Sequence, residues 1–201
     1  QYILGNELIY RYQSASTFWG GNEYLYFENK DVRGSNLGVQ FTDLEEIYHS
    51  YLYLDVDRSK SSYTYNPDVN GNFKITVLDR ENPSIEADYT EVHFSLFYPK
   101  LTNSSIHVYG NYNNYSLSEA NQMTYNPQSR SYELTMKLKQ GFYNYKYVIV
   151  NDLNELEEGA ISGNFYETEN NFKVIVYYRD LGARYDRIVG LGEGTSIQIS
   201  N

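Results

Sequence analysis

Between Ile106 and Val150 apolar and polar side chains alternate with a period of two, in runs separated by loops of Gly, Asn, Pro and Ser. In the middle run Tyr132, Leu134, Met136 and Leu138 fall on one side, and Glu133, Thr135, Lys137 and Lys139 on the other. Successive side chains of a strand point to opposite faces, so this is the pattern of a half-buried strand. Gln140-Gly141 breaks the run, and Tyr143, Tyr145, Tyr147 and Ile149 then alternate with Asn144, Lys146, Val148 and Val150. Two alternating runs about a glycine-containing break predict an antiparallel hairpin. The three- and four-residue apolar spacing of a helix does not occur in this stretch. The segment is therefore predicted to be the core of a β-sandwich.

The flanking sequence extends this picture. Tyr2 to Tyr12 and Phe18 to Phe27 read as strands, interrupted at Gly5-Asn6 and at Gly20-Gly21-Asn22, where glycine marks a bulge or tight turn. Asp31 to Gly38 is a polar connector. Thr42-Asp43-Leu44-Glu45 has the form of a helix capping box, and Ile47 to Leu54 reads as a strand preceded by at most one helical turn. Val69-Asn70-Gly71-Asn72 is a turn signature ahead of a strand from Phe73 to Leu78. The polar segment Arg80 to Ala87, with Pro83, divides the chain into a β-rich domain over 1–84 and a second over 85–201. In the second, strands are expected at Tyr89 to Tyr98 and Phe172 to Tyr178, the Val-Ile-Val centre of the latter suiting the middle of a sandwich. Short, regularly spaced strands without helices predict an all-β protein whose second domain is an immunoglobulin-like sandwich.

Composition narrows the function. Of 201 residues 41% are hydrophobic, yet 24 are Tyr, so tyrosine carries packing that Leu and Val carry elsewhere. Tyr is also enriched at protein interfaces, which points to a protein partner. A formal charge of −10 argues against nucleic acid, whose phosphates need Lys and Arg, and against anionic membrane surfaces. No apolar run approaches the roughly 20 residues of a spanning helix, so no membrane insertion is expected. Gln1 opens no signal peptide, and a start within a strand pattern suggests a fragment or processed chain. With no cysteine, disulfides and thiolate metal sites are excluded.

Candidate chemistry is sparse. His49, His93 and His107 lie inside strand patterns with no second His or Cys at ligand spacing, so no metal ligand is expected among them. Asp55 with Asp57, and Asp68 with Asn70 and Gly71, lack the closing glutamate of a calcium loop and read as turns. Glu155, Glu157 and Glu158 read as a solvated loop tip. No nucleophile elbow, phosphate-cradling loop or dinucleotide fingerprint is present. The expectation is a protein without catalytic residues, cofactor or metal.

Two resemblances follow. Val108 to Tyr115 (VYGNYNNY) and Lys139 to Val148 (KQGFYNYKYV) are similar to the E-set sandwiches that bind glycogen and starch. That resemblance implies an E-set sandwich and a carbohydrate site at Tyr115 and Lys146, with Tyr115 where those domains place a stacking Trp. The second spans nearly the whole chain: Gly5-Asn6-Glu7-Leu8, Gly20 to Tyr24, Asp68 to Phe73, Ala87-Asp88-Tyr89, Val92-His93-Phe94, Leu138 to Tyr145, Gly163 to Asn170, Val176 to Arg179 and Arg184 to Gly190. In this order they resemble the type IX secretion system plug protein family, of which the chain would be the C-terminal half. The resemblance implies a periplasmic protein that closes the periplasmic mouth of an outer-membrane translocon barrel and catalyses nothing. Loops carry function when a scaffold holds them at the surface. The expected partner contacts are thus the loop aromatics Trp19, Tyr112, Tyr115, Phe165 and Tyr166. Arg179, Arg184 and Arg187, interleaved with Asp180 and Asp186, are expected to form surface ion pairs.

Overall fold

Strands form where the alternation predicts them, and their pairing is what the sequence does not announce. The computed structural model describes residues 2–5, 7–9, 11–34 and 36–198; Asn6 and Tyr10 of the first predicted run lie outside the described residues. In chain order the strands are β1 (Tyr2–Leu4), β2 (Glu7–Ile9), β3 (Leu25–Glu28), β4 (Val39–Leu44), β5 (Tyr48–Leu52), β6 (Asp55–Val56), β7 (Phe73–Ile75) and β8 (Tyr89–Phe97). Then follow β9 (Ser105–Tyr109), β10 (Thr124–Asn126), β11 (Ser131–Lys139), β12 (Gly141–Val150), β13 (Leu156–Glu157), β14 (Asn171–Tyr178) and β15 (Arg187–Thr195). The α-helices, α1 (Pro83–Glu86) and α2 (Gly159–Ser162), are single turns. The class is all-β.

The larger of two units, residues 22–163, is a sandwich. One sheet runs β10-β11-β8-β5-β4, with β6 also on β8; the other is built on β12, which pairs with β3, β7, β9 and β13. Most neighbours are antiparallel, but β5 and β6 lie parallel to β8. Apolar side chains from both sheets meet between them. Phe27 of β3 is fully buried, stacked on Tyr143 of β12 at 5.1 Å and edge-on to Phe94 of β8 at 5.8 Å. Inward tyrosines of β12 thus supply the expected core, since an aromatic ring fills a pleated, half-buried surface well.

Three expectations are corrected. β11 and β12 do not form a hairpin: β11 pairs with β8 and β10, and β12 belongs to the opposite sheet. Only Gln140 separates the two strands, too little for a two-residue turn, and the chain crosses the sandwich instead. Gly141 permits the corner, because a Cβ there would lie 2.5 Å from the Lys74 carbonyl oxygen. The boundary expected at 84/85 falls inside the sandwich, because β3, β5 and β7 pair with β12 and β8 from the far side of it. The capping-box segment is strand β4, its residues Thr42 and Asp43 paired with Ser50 and His49; ladder pairing outweighs a cap with no long apolar helix behind it.

The smaller unit gathers the described residues of 1–21 and 164–201. It contains the hairpin β1–β2 and a two-stranded ribbon, β14–β15. The Val-Ile-Val segment expected at a sandwich centre lies in this ribbon, with Val174, Ile175, Val176, Tyr177 and Tyr178 all exposed. A continuous apolar run indicates two apolar faces but not that anything covers them.

Within the sandwich Asp55 accepts hydrogen bonds from the hydroxyls of Tyr145 (2.8 Å) and Tyr147 (2.7 Å). Removal of its carboxyl from water raises its pKa, against the opposing effect of the two hydroxyls and Arg58. A raised folded-state pKa means that Asp55 favours folding most below its unfolded value of about 3.9. That contribution is lost as pH rises through the folded value. Urea denaturation of wild type and Asp55→Asn should therefore show the wild type gaining stability relative to the variant from about pH 7 to about pH 3.5. A relative gain in the opposite direction would contradict this.

Candidate functional site

Trp19 and Tyr166 are brought to the surface of the smaller unit by a backbone clasp. The Phe165 amide donates to the Gly21 carbonyl at 2.8 Å, and the Gly21 amide to Asn164 Oδ1 at 3.1 Å. Thr168 Oγ1 donates to the Gly21 carbonyl at 3.0 Å, and Asn170 Nδ2 to the Gly20 carbonyl at 2.7 Å. Ser196 closes the clasp, its hydroxyl donating to the Thr168 carbonyl at 2.9 Å and accepting from the Asn170 amide at 2.8 Å. A Cβ on Gly20 would lie 2.0 Å from the Phe165 carbonyl oxygen, so only glycine allows the two segments this approach. The flanking side chains, Trp19 at 80% and Tyr166 at 85% exposure, stand in solvent. Phe165, next to Tyr166 in the chain, is half-buried.

The same unit exposes the apolar residues of its ribbon: Val174, Val176 and Tyr177 on β14, Ile188 and Leu191 on β15. Two of the three arginines expected in ion pairs close its turn: Arg179 meets Asp186 through two bonds of 2.8 and 2.9 Å, and Arg187 meets Asp180 at 2.7 Å, while Arg184 forms no ion pair among the described residues. Exposed pairs of this kind fix geometry more than they stabilise. A two-stranded ribbon is marginal alone in water, and one apolar on both faces is an adhesive surface.

The other predicted contact residues lie in the sandwich and behave differently. Tyr112 packs edge-on against Tyr143 at 5.7 Å, and its buried hydroxyl has no hydrogen-bond partner. It is a packing residue, not an exposed loop aromatic; desolvation drives its pKa far up. Tyr115 and Lys146 both lie beside Tyr109. Lys146 Nζ lies 5.1 Å from the centre of the Tyr24 ring and 5.7 Å from that of Tyr109, and is paired with Glu158. Tyr115 stands at 5.2 Å from Tyr109, its hydroxyl donating to the Gly71 carbonyl at 3.3 Å. Burial, with Tyr24 beside it, pushes the Tyr115 hydroxyl up to about 12. Tyr115 also adopts φ +53°, a left-handed conformation that a bulky side chain rarely takes.

Sequence reading missed one constellation. His49 and His93, far apart in the chain, stand 2.8 Å apart because β5 lies parallel to β8. No spacing rule could have found them, since the pairing of those strands is not local.

No protein-family model matches the chain, and no curated protein matches it. A crystal structure of a hypothetical protein from Parabacteroides merdae ATCC 43184, at 2.30 Å resolution, is similar. The TM-score is 0.83 and the sequence identity 37%, over 89% of this chain. The chain spans 45% of that protein's length. The likeness carries the fold.

The clasp makes a direct prediction. Gly20→Ala should force the segments apart and raise amide hydrogen exchange across residues 164–170 by about tenfold or more, the loss of one or two hydrogen bonds being worth about 1–2 kcal/mol. Unchanged exchange would show that Gly20 does not hold the pair together.

Proposed function

We propose that the protein acts without catalysis, as a plug that closes the periplasmic opening of the type IX secretion translocon through protein–protein contacts. The observation that carries this reading is the smaller unit's surface, where Trp19 and Tyr166 stand in solvent on a hydrogen-bonded clasp and the β14–β15 ribbon exposes apolar residues. Aromatic anchors that are already held in place lose little freedom on docking, so more of their contact energy appears as affinity. The sandwich supplies a stiff body, and the charge of −10 supplies attraction to a basic rim, which speeds encounter more than it tightens the complex. The order of motifs along the chain supplies the partner: a large outer-membrane barrel in its resting, carrier-free state. The periplasmic location rests on that same resemblance.

The experiment is recovery of the translocon barrel from cells lacking the cargo-carrying partner. The full-length protein is expected to co-purify with the barrel, and Trp19→Ala with Tyr166→Ala to reduce recovery by about tenfold or more, as loss of two anchors worth about 1 kcal/mol each would give. Absence of the wild-type protein from carrier-free translocons would overturn the proposal.

A second reading, carbohydrate binding by the sandwich, is favoured by the left-handed Tyr115 and by the gathering of Tyr24, Tyr109 and Tyr115 around Lys146. Backbone strain concentrates where ligands bind. In affinity electrophoresis this reading predicts that a glucan retards the protein and that Tyr115→Ala removes the retardation. Equal mobility with and without common glucans would dispose of it.

A further inference from the structure

On the outer face of the six-stranded sheet, two strands are joined by a pair of side chains that docking does not use. Parallel pairing sets His49 of β5 opposite Glu91 of β8, and Tyr51 opposite His93. The two imidazoles therefore meet diagonally across the seam. His49 Nδ1 lies 2.8 Å from His93 Nε2, with ring centres 5.1 Å apart and planes within 19°. Nitrogen faces nitrogen along one common axis, a geometry that holds one proton between the rings. The neighbouring rings fix it: Tyr51 stacks on His93 at 4.1 Å within 5° of parallel, and Phe41 on Tyr51 at 4.3 Å.

The outer nitrogens decide which ring donates. His49 Nε2 faces the Glu45 carboxylate at 3.7 Å, and an ionised carboxylate attracts only N–H. In the neutral ring His49 Nδ1 is then a lone pair, so His93 Nε2 carries the hydrogen that lies between the two. His93 Nδ1 is in turn a lone pair and accepts from the Thr135 hydroxyl at 2.9 Å. With both rings neutral, every nitrogen has a matching neighbour. One added proton is accommodated at His93 Nδ1, because the Thr135 hydroxyl can turn and accept. Its charge is shared across the bond, and the pair titrates as a unit. A second proton puts hydrogen on all four nitrogens, and N–H then faces N–H where the bond had been. Two imidazolium rings repel at that contact and cannot keep it.

We propose that the pair is an acid-released latch, which ties the β4–β5 hairpin to β8 through one shared proton and opens when both rings are charged. β4 is the last strand of its sheet, so within that sheet the hairpin is held by the seam of β5 on β8. The charged groups facing the pair are Asp43 from β4, Glu45 from the β4–β5 turn, Glu91 from β8 and Lys137 from β11. Three carboxylates against one ammonium favour the first charge. Asp43 and Glu45 are exposed, so water and salt screen their pull, whereas the second charge meets the first at bonding distance. Burial, and the charge of His49 beside it, lower the pKa of His93 against the pull of Glu91 and Glu45. Histidine in the unfolded chain titrates near 6.5, so the stability this contact supplies is complete above about pH 6.5. It is lost as pH falls through the lower folded value. The latch is independent of the plug reading.

Nitrogen-15 magnetic resonance of the full chain tests the pair directly. At about pH 7.5 a scalar coupling between His49 Nδ1 and His93 Nε2 is expected across the shared hydrogen. The rings should titrate in two separate steps, the second well below the ordinary histidine range. Amide protection, corrected for the intrinsic effect of pH, should fall about tenfold or more across residues 39–44 and 48–52 between about pH 6.5 and about pH 4.5. His49→Asn puts an amide oxygen where His49 Nδ1 accepts and leaves one titrating ring, so it should keep that protection at about pH 4.5. Should this variant lose its near-ultraviolet circular dichroism, the coupling and the two-step titration of the wild type decide the matter. Absence of the coupling, both rings titrating together near 6.5, or equal acid loss of protection in wild type and His49→Asn would overturn the latch.

Discussion

A tyrosine ring can be buried at low cost only if its hydroxyl finds a partner, and this chain is built largely around that condition. Tyr143, Tyr145 and Tyr147 point inward from β12, and each hydroxyl is met: Tyr143 donates to the Lys139 carbonyl at 2.7 Å, the other two to Asp55. Asp55 is thereby held away from water, and Tyr145 and Tyr147 are kept un-ionised by burial and by that carboxylate. The sandwich therefore fixes not just which faces are apolar but where β6, which begins at Asp55, must lie. Tyr112 is the exception: its hydroxyl is buried without a partner, a cost that its ring packing against Tyr143 offsets.

The two units divide the physical work. The sandwich buries Phe27, Phe94 and the inward tyrosines of β12, and satisfies the hydroxyls of Tyr143, Tyr145 and Tyr147. The smaller unit does the reverse: Trp19, Tyr166 and the ribbon residues remain in solvent on a framework of backbone hydrogen bonds. Uncovered aromatic and aliphatic area of this kind suits the docking role proposed above, which rests on contact area and rigidity.

Period-two alternation made β8, β11 and β12 legible, because it reports which side chains share a face. It does not report neighbours. The single residue between β11 and β12 reads as a hairpin until β3 and β9 are seen to occupy both sides of β12. For the same reason Trp19 and Tyr166 could be picked out as loop aromatics, while their joining through Gly20 and Asn170 could not. The histidine pair was hidden most deeply, since it depends on a parallel pairing of β5 with β8 across 44 residues of chain. Apolar content misled at 171–178, where a run suited to a sandwich centre is exposed on both faces.

Hydrogen–deuterium exchange of the full-length protein, alone and with carrier-free translocon, bears most directly on the docking claim. Steric closure through the smaller unit predicts slowed exchange across residues 17–21, 164–170 and the β14–β15 ribbon when the translocon is present. Exchange unchanged there, or slowed only in the sandwich strands β8 and β11, would contradict it.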